Sequence, residues 1–501
     1  MDQPTGDPLV LRRLGIDTYK EYILFIRADC DVVRAEGFKA LTRVLVHHHR
    51  HSIAATMNVI HSDLLREGEA SLSESAFDAL HARENDEITI THLEPISSLR
   101  HVRAKIYGRK LSREDFQEVV ADIALGRYSS VHLAAFIAAC VGVHMDLDEI
   151  TYLTEGMIAA GKHLQWPGSI VVDKHCVGGL PGNRTTPIVV PIIASCGLTI
   201  PKTSSRAITS PAGTADVMET MTMVNLSLKQ IKQVVETTGG CMAWGGAAHL
   251  SPADDILIHV ERALSVDSDA QLVASVLSKK IAAGSTHVLI EIPVGPTAKV
   301  RSMDAAHDLE RALSYVSAAL GLKLKILITD GSQPVGRAIG PTLEALDVLA
   351  VLRGTSDAPR DLRTRALTIA SEILALAGTP AADAARRTEE ILASGQALRK
   401  FMEICEAQGG FHEPAPAPFY QDVHAHATGA VTGIDNRNLA LVAKLAGAPS
   451  DKGAGIIFRA PLGTHVRTGD PIFTVYAESR GALQYAIEFL AEQEPVVTVT
   501  A

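Results

Sequence analysis

The sequence predicts a multidomain α/β protein with four parts: an N-terminal β-rich domain, a helical bundle, a central mainly parallel α/β domain and a C-terminal α+β domain. Three observations carry this expectation. A chain of 501 residues is longer than one hydrophobic core sustains. The apolar spacing changes from short runs between polar turns before residue 95 to a helical period from Leu111. From about residue 165 to 405, strand-like and helix-like segments alternate, the pattern that builds a parallel sheet.

Composition narrows the function classes. Hydrophobic residues make up 47% and charged residues 21%, normal for a well-packed enzyme-sized protein. The formal charge of −10 and the lack of a basic stretch argue against nucleic acid as a partner. Small anionic metabolites remain compatible, because a local cationic pocket can sit in an acidic protein. A cytoplasmic protein with no membrane span is expected: no charged-then-apolar leader follows Met1 and no run reaches about 18 apolar residues. The six cysteines are scattered without CxxC pairing, which suits reduced thiols better than disulfides or zinc.

Residues 1–95 read as the β-rich domain, with strands near Tyr22 to Ile26 and Glu87 to Thr91. The tract His47 to His51 resembles a metal motif, but consecutive residues of a strand point to opposite faces and cannot converge on one ion. Residues 96–163 read as the bundle, open to completion by later helices. Ser112 and Asp115 make a capping arrangement ahead of Phe116, Val119, Val120 and Ile123; a second helix starts near Ser130; a third is capped by Asp146, with Leu147, Ile150, Leu153, Met157 and Ile158 facing inward.

Residues 164–408 hold the chemistry. In VVDKHCVGGLPGNRTT, Val171 to Thr186, β-branched residues lead to Asp173, Lys174 and His175, then to a Gly/Pro turn, then to hydroxyls that open an apolar run. Strand, glycine turn and helix start together make an anion cradle, in which backbone N–H groups, a helix N-terminus, a lysine and threonine hydroxyls surround the ligand. It is not a Walker loop, for the GxxxxGK[ST] spacing is absent and Arg184 stands where that motif has lysine. An ordinary αβ turn is the plainer reading of this loop alone.

The segment Ile200 to Glu219 crowds Lys202, Thr203, Ser204, Ser205, Arg206, Thr209, Ser210 and Thr214 between apolar runs, which suits a polyanion or a sugar. Gly239 to Asp255 is a glycine-rich close-approach turn. Ser275 and Lys279 share one helix face, with Asp267 just before that helix. A helix-dipole acid and a surface lysine account for those residues equally well. Strand-like His287 to Val294 places Lys299 just past a strand end, where α/β sites usually lie. Residues 409–419 form a stiff linker. The remainder, 420–501, resembles a lipoyl-type hammerhead, but His465, Val466 and Arg467 occupy the hairpin tip, so modification of a lysine there is not expected.

In this order the bundle, DKHxxGG, SRAITSxAGT, ASxLSKK and TDxxQPxG resemble the thymidine phosphorylase family of pentosyltransferases across roughly residues 100–495. The extra N-terminal domain, with GGLPGNRTT and KTSSRAITS, is closer to the branch containing AMP phosphorylases. The resemblance implies phosphorolysis of an N-glycosidic bond without metal or organic cofactor, inorganic phosphate being a co-substrate. It implies nucleoside 5′-monophosphates as substrates, AMP foremost, then CMP and UMP, yielding free base and ribose 1,5-bisphosphate. The alternative is a thymidine or pyrimidine nucleoside phosphorylase. Carried over motif by motif, Lys174, Gly179, Thr186, Ser204 and Thr214 hold phosphate, and His175 and Arg206 border the sugar and base. Ser205 to Ser210 (Ser205, Arg206, Ala207, Ile208, Thr209, Ser210) and Lys299 meet the nucleotide, Ser275 and Lys279 the base, and Asp267 donates the proton. A homodimer or larger homo-oligomer is implied as well. Two departures stand out. Cys176 replaces a serine of the phosphate site, and the pyrimidine-gripping arginine has no counterpart in register, Arg262 falling one residue short.

Overall fold

A computed structural model describes residues 7–18, 21–31, 42–142, 145–207, 210–264, 266, 268–493 and 495–501. Asp267, Ile208 and Thr209 lie outside the described residues, as does the side chain of Arg262. The chain divides into two compact units, Met1–His144 with Ile256–Leu264 and Met145–Asp255 with Ser265–Ala501.

In the first unit, β1 (Leu9–Leu11), β2 (Ile23–Arg27), β3 (Arg43–His48), β4 (His51–Ile60), β5 (Glu69–Leu72) and β6 (Glu87–His92) close into a barrel of order β1-β5-β2-β4-β3-β6. Closure leaves no unpaired edge. Inward residues such as Leu24, Ile26, Val44, Val46 and Met57 fill it, and Phe77 and Leu80 of α1 (Glu74–Leu80) join that core. The histidine tract is not one strand, which corrects the sequence reading. β3 ends at His48, His49 turns at φ 52°, and His51 begins β4 opposite His48. His47 engages hydroxyls through both ring nitrogens, Nδ1 at 2.7 Å from Ser52 and Nε2 at 2.8 Å from Thr91. Among the described residues no group of three or more His, Cys, Asp or Glu could hold a metal ion.

Three helices follow in this unit, α2 (Leu99–Ile106), α3 (Arg113–Ala124) and α4 (Ser130–Gly142). The capping box at α3 is present, Ser112 and Asp115 each accepting the other's backbone N–H, and Phe116, Val119, Val120 and Ile123 are all buried.

The second unit begins with α5 (Leu147–Ala159), capped by Asp146 accepting from Glu149 N at 2.9 Å. Its buried face carries Ile150, Leu153 and Met157, whereas Leu147 and Ile158 depart from the expected inward face, Leu147 being exposed on the first turn and Ile158 only half-buried. The five parallel strands are β7 (Val172–Cys176), β8 (Ile200–Ser204), β9 (Gly240–Trp244), β10 (His287–Val294) and β11 (Lys323–Asp330). β11-β10-β7 and β8-β9 are parallel ladders, and a parallel bridge from Val171 to Thr199 links the two. Around them lie α6 (Thr186–Ser195), α7 (Thr214–Glu219), α8 (Leu228–Thr238), α9 (Pro252–Leu264), α10 (Asp269–Ala282), α11 (Met303–Ala319), α12 (Pro341–Arg353), α13 (Arg360–Leu376), α14 (Ala381–Ala393) and α15 (Gln396–Ala407); α9 runs from this unit into the first. α5 packs on α10 and α11, so the third bundle helix groups with the α/β segment.

β12 (Ala338–Ile339) joins a C-terminal sheet of order β12-β15-β17-β13, built with β13 (Phe419–His424), β15 (Gly455–Phe458) and β17 (Pro471–Ala477). A second sheet, β16-β14-β18, uses β14 (Gly429–Ile434), β16 (His465–Val466) and β18 (Val497–Thr500). α16 (Asn436–Leu445) and α17 (Arg480–Glu492) complete the α+β module. Among the described residues no helix is long and apolar enough to cross a membrane.

Candidate active site

The C-terminal ends of the five parallel strands deliver Lys174 and His175, Ser204, Trp244, the 295–299 loop and Asp330. That is the edge of an α/β sheet where ligands bind. Strand alternation turns Lys174 to one face of β7 and Asp173 and His175 to the other.

On the first face Lys174 is only 2% exposed, its Nζ donating to Thr185 Oγ1 at 2.5 Å and standing 3.6 Å from Glu291 Oε2. Thr185 is the N-cap of α6 but makes no side-chain cap bond, so its hydroxyl serves the lysine instead. The intervening turn needs its glycines. Gly178, Gly179 and Gly182 all have φ between 68° and 85°, and Asn183 follows at 55°. A Cβ on Gly179 would lie 2.4 Å from Lys299 Cβ and 2.6 Å from Lys299 N; one on Gly182 would lie 2.4 Å from Val335 O. Arg184 ties the turn down, its Nε donating to Glu344 Oε2 at 2.6 Å and its Nη atoms to Thr214 Oγ1 at 3.1 Å and Ala212 O at 3.0 Å.

On the second face Asp173 faces two buried lysines, Lys280 Nζ at 2.7 Å and Lys202 Nζ at 3.6 Å, and also accepts Lys174 N at 2.6 Å. Burial and the neighbouring Lys280 hold the Lys202 ammonium well below the usual lysine range, despite the pull of Asp173. His175 is likewise held well below the usual imidazole range, first by burial and then by Lys280, Lys202, Lys174 and Lys279. A neutral imidazole offers one N–H donor and one acceptor.

Residues 168–398 match the "Glycosyl transferase family, a/b domain" model, 100–161 the "Glycosyl transferase family, helical bundle domain" and 430–495 the "Pyrimidine nucleoside phosphorylase C-terminal domain". A relative named "Putative thymidine phosphorylase" from Hahella chejuensis (strain KCTC 2396) is 53% identical over 98% of this chain and 98% of its own. Another of that name, from Polaromonas sp. (strain JS666 / ATCC BAA-500), is 54% identical over 99% and 97%. The chain belongs to the thymidine phosphorylase family. It is therefore an enzyme, a pentosyltransferase of the phosphorylase type. Its fold is also similar to the crystal structure of anthranilate phosphoribosyltransferase (TrpD) from Thermus thermophilus, with TM-score 0.51 and 19% identity over 61% of this chain and 98% of that one.

Against the family pattern, the other predicted residues fall as follows. Gly179 and Lys299 are in direct backbone contact, and Thr214 shares Arg184 with the turn. Ser204 Oγ donates to Ala243 O at 3.3 Å, and Ser210 Oγ to Ala212 O at 3.0 Å. Arg206 lies over the Trp244 ring at 4.8 Å and is clamped by Asp216 at 3.2 Å and Glu219 at 2.6 Å. Its guanidinium is thus engaged within the protein. Ala207 N and Gly213 N both donate to Asp216 Oδ2, at 2.6 and 2.9 Å, which ties both residues to one carboxylate. Ser275 is half-buried; Lys279 pairs with Asp254 and stands 3.8 Å from Asp255, so it is not a free surface lysine. The Cys176 thiol is pushed up to about 11 by burial and then by Glu291, and its Sγ accepts from Asn183 Nδ2 at 3.5 Å. It stays protonated at neutral pH and is no nucleophile.

Sequence reasoning missed Lys280, Glu291, Arg365 and Asp216. The available signal was a charged residue inside an apolar run, as in HVLIEIPV, where Glu291 interrupts an otherwise buried strand. A buried carboxylate always needs partners.

Proposed function

We propose that the protein cleaves the N-glycosidic bond of nucleoside 5′-monophosphates with inorganic phosphate, AMP foremost and CMP and UMP as further substrates, releasing base and ribose 1,5-bisphosphate. What supports this reading is the close packing of Gly179 against the backbone of Lys299, which brings the loop carrying a second lysine to the turn that follows Lys174. One anion needs one such site; a 5′-phosphate in addition to the attacking phosphate needs two.

In this reading Lys174, Thr186, Ser204 and Thr214 hold the attacking phosphate with backbone from Gly179. Lys299 and the hydroxyls of the 205–210 loop take the 5′-phosphate and ribose. Breaking C1′–N develops positive charge on the ribose and negative charge on the base. The bound phosphate anion answers the first, while Asp267 as proton donor, with Ser275 and Lys279 at the base, answers the second. His175, neutral, hydrogen-bonds rather than adding a repelling charge near the ribose. The scheme uses no metal or organic cofactor. The family resemblance supports a homodimer or larger homo-oligomer.

A second reading, phosphorolysis of thymidine or another pyrimidine nucleoside, is favoured by the names of the relatives. Base release measured with AMP, CMP, UMP, uridine and thymidine, in phosphate buffer with chelator, separates the two. Faster turnover of AMP than of any nucleoside is expected. Faster turnover of thymidine than of every nucleotide would put the second reading first.

A further inference from the structure

We infer that Glu291 is a positioning residue that presets Lys174 for inorganic phosphate; this rests on the assignment of Lys174 to the phosphate site above. Glu291 lies in the middle of β10, opposite Cys176 on β7 and Leu327 on β11, and its side chain is 0% exposed. Nothing in the phosphorolysis scheme uses it. Yet donors from four separate elements converge on its carboxylate. Lys174 Nζ of β7 stands at 3.6 Å, Asn183 Nδ2 of the glycine turn at 3.4 Å from both oxygens, Thr329 Oγ1 of β11 at 3.2 Å and Arg365 Nη1 of α13 at 3.3 Å.

Two features make this more than a structural salt bridge. First, the cluster holds two cations, Lys174 and Arg365, against one carboxylate, so it keeps a net positive charge beside the cradle. Arg365 is itself fixed, donating to Thr329 Oγ1 at 3.2 Å and Asp330 O at 2.9 Å, and it meets Oε1 of Glu291 whereas Lys174 stands by Oε2. Second, the same carboxylate holds both the lysine and, through Asn183 in its left-handed conformation, the glycine turn that follows it. An ammonium has three donors. Thr185 takes one, and Glu291 at ion-pair distance orients the ammonium that this reading gives to phosphate. Fixing a lysine side chain before the ligand arrives removes its rotamer-entropy cost from binding.

The test is Glu291→Gln, which keeps shape and removes charge. Steady-state kinetics are run with varied inorganic phosphate and then with varied nucleotide, alongside protection from thermal unfolding by inorganic phosphate. Expected is a rise of at least about tenfold in KM for phosphate, as for breaking a buried charge pair, with KM for nucleotide changed less than about threefold. Phosphate protection should be lost in parallel. Glu291→Asp, which retains charge, should lie nearer wild type than Glu291→Gln. Should Glu291→Gln not fold, Thr329→Val removes one donor from the same carboxylate and should raise phosphate KM about two- to fivefold. Equal losses on phosphate and nucleotide, or an unchanged phosphate KM, would overturn the inference while leaving phosphorolysis standing. A wild-type enzyme that neither binds nor consumes phosphate would overturn both.

Discussion

Replacing Gly179 with alanine, with Gly178→Ala as its partner control, isolates the contact on which the two-anion reading depends. Both glycines are left-handed, at φ +79° and +85°, so each alanine carries the same conformational penalty, roughly 1–2 kcal/mol. At Gly178 a Cβ meets nothing within 4 Å. At Gly179 it would stand 2.4 Å from Lys299 Cβ, 2.6 Å from its N and 2.9 Å from its Cα. Two of those atoms are backbone and cannot swing aside, so the turn and the 295–299 loop must part. Overpacking of that kind costs about 1–3 kcal/mol beyond the shared strain. At about 1.4 kcal/mol per decade, Gly179→Ala should lose roughly five- to hundredfold more kcat/KM on AMP than Gly178→Ala. Thermal denaturation of both variants separates a damaged site from an unfolded protein. Equal kcat/KM for the two folded variants would refute the claim that this contact builds the site.

Other outcomes follow from the same geometry. Lys299→Ala should cut kcat/KM for AMP far more than for adenosine, because only AMP carries the second anion; equal losses would take Lys299 out of 5′-phosphate recognition. Asp267→Asn should leave nucleotide binding within a few-fold of wild type and lower turnover by about two orders of magnitude, the scale of general-acid help; unchanged turnover would remove Asp267 from that role. Asp173→Asn leaves Lys202 and Lys280 buried without their shared carboxylate. It should cost about 3–5 kcal/mol in denaturant unfolding, and a loss below about 1 kcal/mol, no more than an exposed pair is worth, would contradict the ion triad. The Glu219 carboxyl is lowered to about 2 from 4.5, first by its hydrogen bond from Arg206 and then by Lys452. A depressed acid stabilises the fold above its unfolded pKa and loses that contribution as pH falls towards about 2. The stability gap between wild type and Glu219→Gln should therefore be full at pH 6 and shrink below about pH 4.5, as read by urea melts across that range; a gap independent of pH would contradict it.

Much of this was legible because local chemistry and tertiary packing agree. The capping pair Ser112 and Asp115, the glycine turn after Lys174 and the strand His287–Val294 each formed as their residues dictate. Where legibility failed, a long-range partner decided. Leu147 has the right period for a buried face, yet it sits on the first turn of α5 and stays exposed. The histidine tract holds a hairpin reversal that its composition hides, since His49 takes a left-handed conformation usually marked by glycine or asparagine. Arg206 has the character of an anion ligand, but Asp216 and Glu219, ten and thirteen residues on, claim it when α7 forms. Partners for Glu291 come from β7, the turn, β11 and α13, the first two more than a hundred residues away, a distance no local pattern reports.

The most direct measurement is phosphorus NMR of the enzyme with AMP and inorganic phosphate, followed by the same mixture with thymidine. The account predicts that orthophosphate is consumed mole for mole with adenine release, and that a sugar bearing two phosphate esters accumulates faster than any product from thymidine. Adenine release without loss of orthophosphate, or a single sugar phosphate formed faster from thymidine, would contradict it.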